Sequence, residues 1–396
     1  MQASKSQLIY LIALSMIGFI ATDMYLPAFK DMELALSTGP AQIALSLSVF
    51  LAGMAVGQFL WGLASDRYGN KKTLAVGLIV FTIASFGLAF TSNVSELLAL
   101  RFLQAIGVCA PAVIWQAMII KRFPAHTGQQ LFATIMPLVA LSPALAPQLG
   151  VVLSHHFGWQ SIFIALTGFG LLLLLATLMQ PQEALTKRSS DSVKQDVAKL
   201  LRTPTYLGNI IMFAFASAAF FAYLTGMPEI MTQLGYSAKD IGLSFIPQTI
   251  AFMAGGFAGK GMVNKWGDGR VLKLLLGLFT LSTLMIFVAS QTTLSSIWPL
   301  LAPFCLLAVA NGAMYPIVVN RALSSAKQNP ATAAGLQNSL QISISSLASA
   351  VVATLATHAL PITGLMITVC MLGLWGGYAV ANRSATLNNE VAANES

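Results

Sequence analysis

The chain has 396 residues, of which 56% are hydrophobic and only 9% charged, and its formal net charge is +8. So much apolar surface excludes a water-soluble globular protein and points to an all-α membrane protein that crosses the bilayer many times. The positive charge does not point to nucleic acid, because the basic residues fall in short gaps between apolar stretches and form no basic face with interleaved aromatics.

An apolar helix needs about 20 residues to span a bilayer. On that ruler the sequence predicts helices over 8–29, 42–63, 73–91, 94–119, 130–153 and 159–180, then over 206–230, 241–263, 271–290, 297–320, 331–356 and 361–382. The first stretch follows MQASKSQ without a small-residue cleavage site, so it reads as a retained helix rather than a signal peptide. Between the two sets lies the one long polar stretch, Pro181 to Pro204, with Lys187, Arg188, Lys194, Lys199 and Arg202. It reads as a partly helical cytoplasmic linker along the membrane surface. The expected organisation is therefore an N-terminal six-helix bundle over 1–180, a linker over 181–205, a C-terminal six-helix bundle over 206–383 and a disordered tail over 384–396. With a cytoplasmic N-terminus, the outer loops keep only Lys30 and Lys239, and all other basic loop residues face inward, Lys260 and Lys265 among them. That bias puts both termini in the cytoplasm.

Two charges lie deep within predicted spans. A carboxylate at the centre of a membrane helix costs on the order of 3 kcal/mol, so Asp23 in helix 1 reads as a proton or substrate site. Arg101 in helix 4 lies at matching depth, counted from the outer face. The expectation is an Asp23–Arg101 pair, or a shared polar cluster, in which Arg101 holds Asp23 ionised until transport perturbs it. The alternative is a purely structural ion pair between the two helices. Cys109, Cys305 and Cys370 all lie within spans and read as small core residues. The four histidines form no H-E-x-x-H pair, and no phosphate-binding glycine loop is present. The expectation is no enzyme activity, no metal and no cofactor, with a proton gradient as the energy source.

The loop after helix 2 carries Gly62, Asp66, Arg67, Gly69, Lys71 and Lys72 in the pattern G-x-x-x-D-R-x-G-x-K-K. Glycine allows close helix approach, the carboxylate can accept from a neighbouring helix end, and the lysines suit an anionic leaflet. A degenerate echo runs from Gly259 and Lys260 to Asp268, Gly269 and Arg270 in the corresponding loop of the second half. On this motif and the six-plus-six pattern the chain resembles the major facilitator superfamily. The resemblance implies two halves of inverted three-helix repeats, with helices 1, 4, 7 and 10 lining a central cavity. It also implies a monomer working by alternating access, with the loop motif as a conformational switch. Pro137, Pro143, Pro147 and Gly150 in helix 5 are similar to the kinked pattern of proton antiporters in that superfamily, and proline suits a bending element.

The helix 1 phrase ATDMYLPAF resembles the Bcr/CflA group of proton-coupled transporters in the bacterial inner membrane. IGVCAPAVIWQA, IMPLVALSPALAP, FFAYLTGMPEIMTQLGY, GLSFIPQTIAF and ANGAMYPIVV look like its purine nucleoside branch. The chain departs from that branch at Glu229, which reads as a solvated rim carboxylate. The implied substrate is a purine nucleoside, probed by aromatic walls and amides. Candidates are Tyr25 on helix 1, Gln104, Trp115 and Gln116 on helix 4, and Phe220 and Tyr223 on helix 7. Gln248 on helix 8, Asn311 and Tyr315 on helix 10, and Gln337, Asn338 and Gln341 on helix 11 complete the set. Each amide is as well suited to bridging helices as to touching substrate. The other function left open is a multidrug/proton antiporter exporting amphipathic drugs.

Overall fold

The computed structural model describes residues 4–181, 193–355 and 358–394; the side chains of Pro40, Ala41, Ala44, Pro143, Ala144 and of residues 193–196, 238–239 and 383–394 also lie outside it. Lys187 and Arg188 of the expected linker are therefore outside the described residues. In chain order the helices are α1 (Lys5–Asp23), a 3-10 turn (Leu26–Ala28), α2 (Phe29–Ala35), α3 (Pro40–Tyr68), α4 (Asn70–Leu88), α5 (Val94–Arg122), α6 (Ala125–Val139), α7 (Ser142–Phe157) and α8 (Gln160–Leu178). They continue as α9 (Val193–Arg202), α10 (Pro204–Gln233), α11 (Ala238–Trp266), α12 (Asp268–Ser290), α13 (Trp298–Ser325), α14 (Pro330–Thr354) and α15 (Ala359–Asn394). No strand occurs among the described residues.

Local chemistry explains where the helices start. Ser4 and Gln7 form a capping box on α1, Ser237 and Asp240 form another on α11, and the Asn93 side chain accepts the Glu96 N–H at the start of α5. Proline stands in the first turn of α3, α10 and α13, where its missing N–H costs nothing.

Ten described helical stretches are long and apolar enough to cross a membrane. The predicted fifth helix is not among them because it is broken into α6 and α7 at Ala140 and Leu141; Pro143 stands in the first turn of α7, and Pro137 and Pro147 lie inside the two pieces. The eleventh, α14, is diluted by Gln337, Asn338, Ser339, Gln341, Ser343, Ser345 and Ser346. Two further expectations need correction. Helix 1 does not continue to Phe29: α1 ends at Asp23, and Pro27 sits in the 3-10 turn that follows. After Arg383, where disorder is expected, the helical backbone of α15 continues to Asn394.

Backbone contacts group the chain into two compact units. The first holds Met1–Pro124, Leu141–Val193 and Gln328–Ser339; the second holds Ala125–Ala140, Lys194–Lys327 and Leu340–Ser396. These units do not coincide with the sequence halves: α6 packs with the second unit, and the first part of α14 with the first. Within the first unit α5 is buried along most of its length, and small residues bring neighbours close. A Cβ on Gly107 would lie 2.4 Å from the Phe81 backbone nitrogen of α4, and one on Gly57 would lie 2.9 Å from Cys109 Sγ. In the second unit α13 takes the same buried place, with Gly255 of α11 against Val309 and Gly312 of α13 against Phe252.

Candidate substrate and proton sites

Arg101 is fully buried in α5 of the first unit. Its guanidinium lies between two rings, 3.9 Å from the Tyr25 centroid and 4.1 Å from that of Phe50. Nη1 donates to the Ala21 carbonyl at 3.2 Å and to Gln104 Oε1. Gln104 Nε2 in turn donates to Ser85 Oγ at 2.8 Å, and Ser85 donates to the Phe81 carbonyl. The Tyr25 hydroxyl is 3.0 Å from Ser46 Oγ, whose proton goes to the Ile43 carbonyl, so Tyr25 is the donor. Tyr25 and Gln104, expected at the substrate, thus form the walls of an arginine cage.

The expected Asp23–Arg101 ion pair is absent among the described residues. Asp23 is half-buried at the end of α1, with no hydrogen-bond or ion-pair partner there. Ala21 and Tyr25, two residues either side of Asp23, both reach the Arg101 guanidinium, so the two charges do lie at similar depth; what is missing is a contact from the Asp23 side chain itself. Gly150 of α7 fixes this corner, because a Cβ there would lie 1.8 Å from the Met24 carbonyl oxygen. Arg101 keeps Nε and Nη2 without a described partner. A buried cation that is only half-satisfied costs several kcal/mol, partly offset by stacking on two rings at about 2 kcal/mol or more when desolvated. Such a group attracts an anion or a polar solute.

Further along α5, Trp115 is buried, and Gln116 donates to Asn338 of α14 at 3.4 Å. Asn338 itself donates to the Ala112 carbonyl, while Gln116 Oε1 and both polar atoms of Gln337 have no described partner. Asn338 therefore bridges helices, and Gln337 is an unspent buried amide.

The second unit holds a continuous series of rings on α10, α11 and α13. Phe213 meets Tyr315 at 5.0 Å, Tyr315 meets Phe252 at 5.6 Å, Phe252 meets Phe220 at 6.2 Å, and Phe220 meets Phe304 at 5.3 Å. Phe304 stacks on Tyr223 with centroids 3.4 Å apart and planes 8° from parallel. Tyr223 Oη, Gln248 Oε1 and Asn311 Oδ1 are buried with no described partner, although Asn311 Nδ2 donates to the Ala216 carbonyl. Gln341 donates to Ser217 Oγ at 2.6 Å. Sequence reasoning missed Phe50, Ser46 and Ser85 around Arg101, and Phe213, Phe252 and Phe304 in the ring series. A signal existed for Phe304, which stands seven residues before Asn311 and so shares its helix face. Glu229 is exposed and accepts from Gln233 at 2.9 Å, as a rim carboxylate does.

The loop motif has a defined geometry within the first unit. A Cβ on Gly62 would lie 2.5 Å from the Ala331 carbonyl oxygen, so α3 and the start of α14 touch through glycine. Asp66 Oδ2 accepts the Thr332 N–H at 2.7 Å, Oδ1 accepts the Ala331 N–H at 3.4 Å, and Lys121 Nζ lies 3.3 Å from Oδ1. The carboxylate thus sits on the first turn of α14, where free amides and the helix dipole favour a negative charge. Lys71 donates to the Gln180 carbonyl at the end of α8, and Arg67 and Lys72 are exposed.

The Major Facilitator Superfamily family model matches residues 11–353. The chain belongs to the major facilitator superfamily. It is similar to an uncharacterized MFS-type transporter, YdgK, of Bacillus subtilis (28% identical, 91% of each chain covered) and to a bicyclomycin resistance protein homolog of Haemophilus influenzae (25%, 86% of each). It is also 27% identical to a chloramphenicol resistance protein of Pseudomonas aeruginosa over 78% of this chain and 74% of that one. Among solved structures, FucP in the outward conformation superposes with a TM-score of 0.73 at 15% identity, covering 93% of this chain and 98% of FucP. The proton:xylose symporter XylE gives 0.69 at 16% identity, with 94% and 96% covered. The fold is that of major facilitator transporters, and the protein is a multi-pass membrane transporter.

Proposed function

We propose that the protein is a proton-driven secondary transporter of the bacterial inner membrane that carries planar, amphipathic small molecules, and that it exports drug-like compounds. The observation that carries the solute class is the ring series from Phe213 to Tyr223, set with three buried polar atoms that have no described partner. Rings offer stacking area, and Gln248 Oε1, Asn311 Oδ1 and Tyr223 Oη, which have no described partner, reward a solute that brings hydrogen-bonding groups. The resistance proteins among the relatives favour export. Asp23 supplies a protonatable group inside a span, with no described partner to hold its charge, beside two residues that touch the arginine cage.

A second reading is purine nucleoside uptake. It is favoured by the ring series together with the buried amides Gln248 and Asn311 of the same unit, since a nucleobase brings flat π-faces and a hydrogen-bonding edge.

Proteoliposomes under an imposed pH gradient separate the two readings when chloramphenicol and labelled adenosine are followed in parallel. Gradient-driven chloramphenicol movement is expected, reduced at least about tenfold by Asp23→Asn. Adenosine accumulation without drug movement would replace export by the second reading. Undiminished gradient-driven transport in Asp23→Asn would remove Asp23 from the proton path.

A further inference from the structure

Within the second unit α6 and α11 run side by side and meet at three successive rungs. Gly256 of α11 lies against Pro137, so that a Cβ there would be 2.2 Å from the proline Cγ. One turn on, Lys260 Nζ donates to Thr134 Oγ1 at 2.7 Å, and a turn beyond that Gln130 Nε2 donates to Asn264 Oδ1 at 3.4 Å. Positions 256, 260 and 264 form one stripe of α11, and 137, 134 and 130 form the facing stripe of α6. The adjoining stripe of α11, with Gly255 and Gly259, packs on α13, and Gly256 also approaches the Gly312 carbonyl there.

Only one rung carries a charge. Lys260 is half-buried, and its partner is a neutral hydroxyl. No carboxylate among the described residues pairs with it, and Asp268, eight residues on in the sequence, is taken by Arg321 at 2.8 Å. A simple membrane anchor would place its ammonium at the surface, where Lys265 already lies exposed on the last turn of the same helix. Aligning Gly69 with Gly267 makes Lys260 the counterpart of Gly62, so a lysine stands where the first unit needs no side chain at all.

We propose that Lys260 is a charge selector at the α6–α11 seam: when the seam parts, the ammonium leaves Thr134, lines the opening and disfavours cationic solutes against neutral and anionic ones. The inference rests on the transporter reading and sharpens its substrate class to solutes without a fixed positive charge. One unit charge at about 8–10 Å in a partly aqueous setting changes local cation occupancy on the order of tenfold.

The test uses the full-length protein with its three native cysteines replaced and Thr134→Cys introduced, in inside-out vesicles. Modification by an anionic methanethiosulfonate is expected to outpace that by a cationic one about tenfold, and Lys260→Gln should bring the ratio close to one. A thiol that neither reagent reaches, or a ratio that Lys260→Gln leaves unchanged, overturns the proposal. In the transport arm, with Thr134 intact, Lys260→Gln should raise ethidium flux relative to chloramphenicol flux about tenfold. An unchanged flux ratio also overturns it. If the unmodified protein moves neither solute, the substrate reading fails, and the thiol ratio still decides the charge at the seam.

Discussion

The turn at Gly69 in the first unit and the turn at Gly267 in the second share one backbone and differ in what it carries. Each glycine ends one helix and begins the next, at φ 89° and ψ 149° in the first and φ 78° and ψ 154° in the second. Aligned on those glycines, Gly62 corresponds to Lys260, Asp66 to Asn264 and Asn70 to Asp268. In the first unit the carboxylate of Asp66 grips the amides that open α14; in the second, Asn264 receives a long amide bond from Gln130. Charge-assisted bonds are about twice as strong as neutral ones. The duplicated turn has thus kept its geometry while one copy became a strong clasp and the other a weak clasp beside a lysine that bonds a neutral hydroxyl and has no described ion-pair partner.

The largest expected break in this contrast is at Gly62. Gly62→Leu forces a side chain into the Ala331 backbone, an overpacking cost of about 1–3 kcal/mol, and should lower chloramphenicol flux in vesicles at least about tenfold. Lys260→Leu, at the matching place, should leave that flux within about threefold, and equal losses would show that the two sites do the same work. Next come Gly69→Ala and Gly267→Ala, because a Cβ at these positive φ values costs about 1–3 kcal/mol. Thermal unfolding in detergent should show similar drops of a few degrees for both, and a drop confined to one would break the shared-backbone half of the comparison. Asp66→Asn is the smallest, since a carboxylate at a helix N-terminus contributes about 0.3–2 kcal/mol. It should speed labelling of Thr332→Cys by a neutral maleimide several-fold, whereas Asn264→Asp should leave labelling of Thr134→Cys by the same neutral reagent within about twofold.

The spans and the loop motif were legible in the sequence because each is a local signal, about 20 apolar residues or a fixed spacing of glycine and aspartate. The geometry around Arg101 was not. Helical spacing tells which face Arg101 shares with Val108 and Trp115, but nothing about Phe50 and Tyr25, which arrive from other helices to sandwich it. Depth counting placed Asp23 level with Arg101 but could not tell which way the carboxylate faces: Ala21 and Tyr25 on either side reach Arg101, with no described contact from Asp23. In the predicted fifth helix the prolines signalled a kink, yet no residue at Ala140 or Leu141 marks the interruption itself. The second-half echo was visible as a glycine and basic pattern, while the bond from Lys260 to Thr134 depends on α6 packing in the second unit.

That interruption between α6 and α7 has a consequence for hydration. Pro137, Pro143 and Pro147 each lack an N–H, so the carbonyls of Ala133, Val139 and Pro143 have no helical donor four residues ahead. Lipid tails offer no hydrogen bond in exchange. Water has to reach these oxygens, or protein groups must cover them; where water does, the backbone amides of α7 should exchange deuterium far sooner than those of α8, which runs unbroken against it.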